Sequence, residues 1–140
     1  MGYRIIDHTA DLGIEVRAAG DRQLFSQCAQ ALFDLLWDPA TVHAVGKSQV
    51  QIRGMDRPDL MVNWLRELLF YWTGRQRLIK KVTLLELAEC LLSAEVGWEN
   101  YDPRRHRLRH EIKAVTYHQL AAGPGEKAGD PWRARIIFDL

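Results

Sequence analysis

The sequence predicts an α+β fold, a mixed or antiparallel sheet served by two main helices. Three observations carry this. Segments that alternate apolar and polar residues outnumber those with helical spacing, and they do not alternate with helices one for one. Only two long stretches show the apolar stripe at three-to-four spacing that marks a helix facing a core.

Residues 3–6 (YRII) and 12–18 (LGIEVRA) read as two short strands. In the second, Leu12, Ile14, Val16 and Ala18 share a face because side chains alternate along a strand. The HTAD between them is a turn. After Gly20, Asp21 is placed to cap a helix over 22–37, in which Leu24, Cys28, Ala31, Leu32 and Leu35 form the stripe, and Asp38-Pro39 ends it. Residues 48–54 (SQVQIRG) alternate as a strand. The strongest helix follows in RPDLMVNWLRELLFYWTGR, with Pro58 suited to its first turn, Gly74 to its end, and Leu60, Met61, Trp64, Leu65, Leu68, Leu69 and Trp72 on its apolar face. The stretch 78–96 is rich in helix formers, yet Val82, Leu84, Glu86 and Ala88 alternate with Thr83, Leu85, Leu87 and Glu89; two strands are expected there. Residues 107–117 read as a strand with Leu108, His110, Ile112, Ala114 and Thr116 on one face. A turn-rich loop (AAGPGEKAGDP) leads to a last strand, WRARIIFDL.

At 140 residues and 47% hydrophobic, the chain is sized for one domain that buries about two-thirds of its unfolded surface. A net charge of +1 argues against a protein whose main task is coating nucleic acid or anionic membrane, either of which needs a persistent positive field. No basic segment leads into a long apolar core and no apolar run is long enough to span a bilayer, so a cytoplasmic protein without a membrane partner is expected. Ile6 breaks the myristoylation pattern that Gly2 would begin. Cys28 and Cys90 lie far apart without a CxxC context and read as two reduced, buried thiols.

The candidates for chemistry begin with Asp7, His8, Thr9 and Asp11, which taken alone are the residues from which turns are made. His106 and His110 have a spacing metals tolerate, but the basic residues around them raise the cost of holding a cation. Arg104, Arg105, Arg107, Arg109 and Lys113 form a basic cluster suited either to phosphate or an acidic partner, or to a solvated edge strand. GxxxxGK[ST], GxGxxG after a strand, GxSxG and HExxH are all missing, and Gly123-Pro124-Gly125 is too short and too interrupted by proline to cradle a phosphate with its amides. A binding or accessory protein, not an enzyme, is the expectation. If the last strand pairs near the first turn, Asp11, Asp139 and the carboxylate of Leu140 bring three negative charges together, a cluster that repels itself unless a cation neutralises it. Oxygen ligands alone suit calcium or magnesium; His8 beside them leaves room for manganese or zinc.

Four segments, DHTADLGIEV, MVNWLRELLFYW, IKAVTYHQL and ARIIFDL, resemble the archease family in order and spacing across nearly the whole chain. The resemblance implies a single domain over 1–140, with a main sheet from about 1–47 and 107–140 and a smaller α/β segment, about 48–106, inserted into it. It implies a protein cofactor of an RtcB-type RNA-splicing ligase that promotes guanylylation and turnover of the ligase in tRNA splicing or RNA repair, touching RNA only through the ligase. It places the family's metal site on Asp11, Asp139 and Leu140, with calcium as the expected ion, and a lysine needed for ligase activation on Lys113. Glu99, Asp102 and His106 match further family positions as supporting residues, although Trp98 separates Gly97 from Glu99 where the family has the two adjacent. Two other readings stay open: a stand-alone metal-dependent phosphohydrolase of nucleotides or RNA ends with His8 as base, and a chaperone-like or RNA-binding interaction module that uses Arg104 to Lys113.

Overall fold

The computed structural model describes residues 2–8 and 11–140, the side chains of Asp7 and His8 excepted. Its strands are β1 (Tyr3–His8), β2 (Asp11–Ala18), β3 (Gly46–Arg53), β4 (Arg77–Leu87), β5 (Leu91–Asn100), β6 (Ala114–Val115), β7 (Ala121–Gly123) and β8 (Trp132–Asp139). Two α-helices, α1 (Asp21–Leu36) and α2 (Arg57–Thr73), complete the fold. Every strand pair is antiparallel. The main sheet runs β1-β2-β8-β6, with β7 pairing a different stretch of the same edge of β8, and a second sheet runs β3-β5-β4. The fold is therefore α+β with two helices, and its sheets are purely antiparallel.

The helices form a layer that touches both sheets: α1 meets β2, β8 and β4, while α2 meets β6 and β7 on one side and β3, β4 and β5 on the other. A helix with sheet on two sides must be apolar around much of its surface. Accordingly α1 buries Leu24, Phe25, Cys28, Ala29, Ala31, Leu32, Phe33, Leu35 and Leu36. The indole N–H of Trp64 on α2 donates to the Phe25 carbonyl at 3.1 Å, so the largest side chain between the helices also has its polar atom satisfied. On the main sheet Leu12, Ile14, Val16 and Ala18 meet Ala134, Ile136 and Phe138 across the ladder and turn inward, as the alternation requires. The opposite, outward face of β2 and β8 carries Asp11, Glu15 and Arg17 against Asp139, Arg135 and Arg133.

Local signals explain most boundaries. Asp56 caps α2 by accepting the Asp59 N–H at 2.9 Å, Pro58 sits in its first turn and Gly74 closes it. The ambiguous 78–96 stretch is a hairpin of β4 and β5 with two register shifts along it. Four expectations are corrected. Gly20 is the N-cap residue of α1, and Asp21 lies inside the first turn, where its Oδ1 accepts the Arg22 N–H. Cys90 is exposed, while Cys28 is buried, and both thiols are free. Only Ala114 and Val115 of the segment 107–117 are strand. The alternating face fails with it: Ile112 and Val115 are buried, and Leu108 and His110 are exposed. The cause is α1, whose last carbonyls have no N–H donors within the helix; the Leu36 and Leu35 oxygens accept the N–H groups of Arg109 and His110 at 2.8 and 2.9 Å.

Among the described residues no helix is long and apolar enough to cross a membrane. Where β3 turns into α2, a Cβ on Gly54 would lie 2.5 Å from the Leu60 nitrogen and 2.6 Å from its Cα, both backbone atoms that cannot swing aside. Gly54→Ala is expected to lower unfolding stability by about 1–3 kcal/mol, read as a drop in denaturant midpoint at unchanged slope.

Candidate functional site

The register of the last strand builds the acidic tip. Asp139 lies directly opposite Asp11 on β2, and on its other side opposite Ala114 on β6. Directly opposed residues share a face with Cβ atoms about 4.5–5.5 Å apart, and like charges there repel. Asp11 is half-buried and Asp139 exposed. Lys113 is tied to the same end by its backbone, its N–H donating to the Asp139 carbonyl at 2.8 Å. Leu140 follows at once and is 40% exposed. Neither aspartate, nor Lys113, has an ion-pair partner among the described residues.

The side-chain donors at this end are two carboxylates, oxygen atoms throughout, which suits a hard divalent ion. Two opposed carboxylates without a counter-charge fit a cation. Among the described residues no group of three or more His, Cys, Asp and Glu side chains is arranged to hold a metal, so any ion here would need further ligands beyond these two side chains. The His8 side chain lies outside the described residues, as do Thr9 and the Asp7 side chain.

Glu99, Asp102 and His106 come together in a separate, closed node. Glu99 ends β5 almost fully buried; its Oε1 receives the His106 Nε2 at 2.6 Å and the His43 N–H at 3.1 Å, and its Oε2 receives the Arg105 guanidinium at 2.6 Å. The Asp102 N–H donates to His106 Nδ1 at 2.8 Å, which leaves the proton on Nε2, facing Glu99. Asp102 also receives Arg105 at 3.3 Å and folds the turn back through the His106 N–H. The imidazole stacks on Tyr101, which meets Trp72 edge-on, and Trp72 in turn meets Trp37 of the core. Both His106 nitrogens are thus engaged and His110 is exposed on an irregular segment. The reading of the two histidines as a metal-tolerant pair on one face is corrected accordingly.

The basic cluster is a loop, not an edge strand. Arg105 is held by Glu99 and Asp102, and Arg109 donates to the Asp34 carbonyl at 3.0 Å; Arg104, Arg107 and Lys113 stay exposed. Sequence reasoning missed the aromatic chain that backs His106, because Trp37, Trp72 and Tyr101 come from three distant segments.

Burial alone would push the Glu99 carboxyl up, but hydrogen bonds from Arg105, His106 and the His43 N–H outweigh it and hold it at about 2, below its ordinary 4.5. A depressed carboxyl stabilises the fold above its unfolded value and loses that contribution as pH falls toward the folded one. Glu99→Gln is expected to cost about 2 kcal/mol at pH 7. The gap to wild type should narrow steadily from pH 5 to 2 in urea unfolding curves; a gap independent of pH would count against the charged node.

The archease protein family's sequence profile matches residues 3–140. The chain is 31% identical to the archease of Methanosarcina acetivorans, covering 99% of this chain and 95% of that protein. It is 35% identical to the archease of Thermoplasma volcanium over the full length of both. Its fold is similar to the solution structure of a Methanobacterium thermoautotrophicum protein, with a TM-score of 0.76 at 31% identity and 99% of each chain covered. The crystal structure of a Thermotoga maritima protein described as an archease and possible chaperone shares the fold with a TM-score of 0.61 at 15% identity, covering 96% of this chain and 94% of that one. Matched over nearly its whole length, this chain belongs to the archease family.

Proposed function

We propose that this chain is the activator of an RtcB-type RNA ligase and that it acts through the acidic tip of its main sheet. The observation that carries the reading is the register that sets Asp11 against Asp139, with Lys113 bonded to the same strand end. A divalent ion, calcium first, would be held by Asp11, Asp139 and the Leu140 carboxylate; when bound it would supply positive charge able to bridge the tip to an anionic group of the partner.

The chain's own residues then have distinct tasks. Asp11 and Asp139 present their oxygens from neighbouring rigid strands, so their separation is set by the ladder and not by loop motion. Lys113 brings an exposed ammonium to the same end, where it can approach a nucleotide phosphate or a ligase carboxylate. The ligase performs the chemistry and this chain promotes its guanylylation and turnover. Support comes from family membership and from the match of these residues to the family's pattern.

Multiple-turnover RNA ligation with GTP and a limiting RtcB-type ligase tests the proposal. Asp11→Ala, Asp139→Ala and one residue added after Leu140 should each reduce stimulation at least about tenfold, the loss of one charge-assisted contact. Chelation of divalent ions before mixing should do the same to wild type. Full stimulation by all three variants would overturn the tip, and phosphate release from GTP by the chain without ligase would favour the hydrolase reading. Lys113→Met is expected to bind the ligase yet fail to stimulate guanylylation, measured as label transfer from radioactive GTP.

A further inference from the structure

The ladder that opposes two aspartates at one end opposes two arginines at the other. Arg17 on β2 pairs directly with Arg133 on β8, six residues along from Asp11 and Asp139 and on the same outward face. At about 3.3 Å per residue the two ends lie about 20 Å apart. Of the two pairs between them on that face, Gly13 with Ile137 is uncharged and Glu15 with Arg135 is complementary. Glu15 accepts Arg4 of β1 at 2.7 and 2.9 Å through one oxygen and lies 3.6 Å from Arg135 through the other. Both carboxylate oxygens are therefore committed, and Arg4, Arg135 and Arg133 together help hold the Glu15 carboxyl below its usual range.

Arg17 and Arg133 have no direct ion-pair partner among the described residues; Arg133 feels Glu15 only at longer range. Both are exposed, and among the described residues neither guanidinium has a side-chain hydrogen bond, an ion pair or an aromatic partner. Like charges directly opposed across an antiparallel pair destabilise it. They line a cleft of about 420 Å³ whose other walls are Arg135 and the Gly123–Gly125 loop. Glu15 and Glu126 line it as well, so three guanidiniums face two carboxylates. Gly123 pairs with Arg133, and a Cβ there would meet nothing within 4 Å, so the space beside the arginine is open. The Nε–H of Arg135 is buried and has no acceptor among the described residues.

We propose that this cleft binds phosphate, taking the phosphate of a nucleotide or of single-stranded RNA between Arg17 and Arg133. Every cation lining it is arginine, whose planar fork matches phosphate oxygens two at a time. Two guanidiniums rooted on neighbouring strands can grip one phosphate from both sides, and that anion offsets the repulsion between them. The loop supplies a wall and not an amide cradle. The site is separate from the acidic tip and stands or falls independently of it.

Thermal unfolding in phosphate and in chloride at matched ionic strength, together with fluorescence anisotropy of a short labelled single-stranded RNA and of labelled GTP, tests the proposal. Phosphate should raise the Tm of wild type but not of the Arg17→Gln, Arg133→Gln double variant. In chloride that variant should melt at or above wild type, because a repulsion has been removed, which separates lost binding from lost folding. Binding of RNA or GTP should weaken at least about tenfold in the variant. RNA binding alone names the polymer as the source of the phosphate, GTP binding the nucleotide, and a response to inorganic phosphate alone the free anion; each supports the site. The same phosphate response in wild type and variant, or none in wild type, overturns it. Equally tight binding of a polyglutamate peptide, lost in the same variant, would overturn the phosphate assignment in favour of an acidic protein surface.

Discussion

The pairing of β8 with β2 is the constraint on which the rest of the molecule depends. Eight consecutive residues of the last strand are in register with β2, from Asp11 opposite Asp139 to Ala18 opposite Trp132. The other edge of the same strand carries β6 and β7. Because side chains alternate, this one register decides simultaneously which residues face the helices and which charges meet outside. A slip of one residue would turn Ile136 and Phe138 outward and drive Arg135 and Asp139 into the helical layer, so burial itself locks the arrangement.

The helical layer exerts a second, local control. Its unsatisfied carbonyls at the end of α1 capture the N–H groups of Arg109 and His110, and Trp37 bridges to Leu108. The segment between the Glu99 node and the acidic tip is thereby held against the helix and reaches the sheet only at Ala114. Lys113 arrives at the tip because the chain joins the ladder at that point. The Glu99 node fixes the start of this segment: its carboxylate is fully occupied by His106, Arg105 and the His43 N–H, and the imidazole rests on an aromatic chain that runs back to the core.

One outward sheet face therefore carries opposite charge at its two ends, with a complementary Glu15 and Arg135 pair between them. A net charge of +1 conceals this polarity, since the two ends nearly cancel. The acidic end was legible in the sequence once DHTAD and FDL were considered together, because both are short, terminal and rich in carboxylate. The arginine end was not. Arg17 lies more than a hundred residues from Arg133 and Arg135, and all three alternate with apolar positions, so they form no visible run; the contiguous cluster from Arg104 to Lys113 was the conspicuous one, and part of it serves the Glu99 node instead.

By itself the sequence determined the element types wherever period and termini agreed. The alternation of 12–18, the stripe and caps of α2, and the strand-like pattern hidden among the helix formers of 78–96 are properties of neighbouring residues, and local sterics and burial act over that range. The tertiary structure decided what depends on partners far away in the chain. It chose an irregular path for 107–113 because a helix end needed donors, buried Ile112 and Val115 in place of an alternating row, and closed His106 into a node that leaves it no free nitrogen. It also opposed aspartate to aspartate and arginine to arginine, since hydrogen-bond register between the second strand and the last is fixed by packing against the helices and is written in neither segment alone.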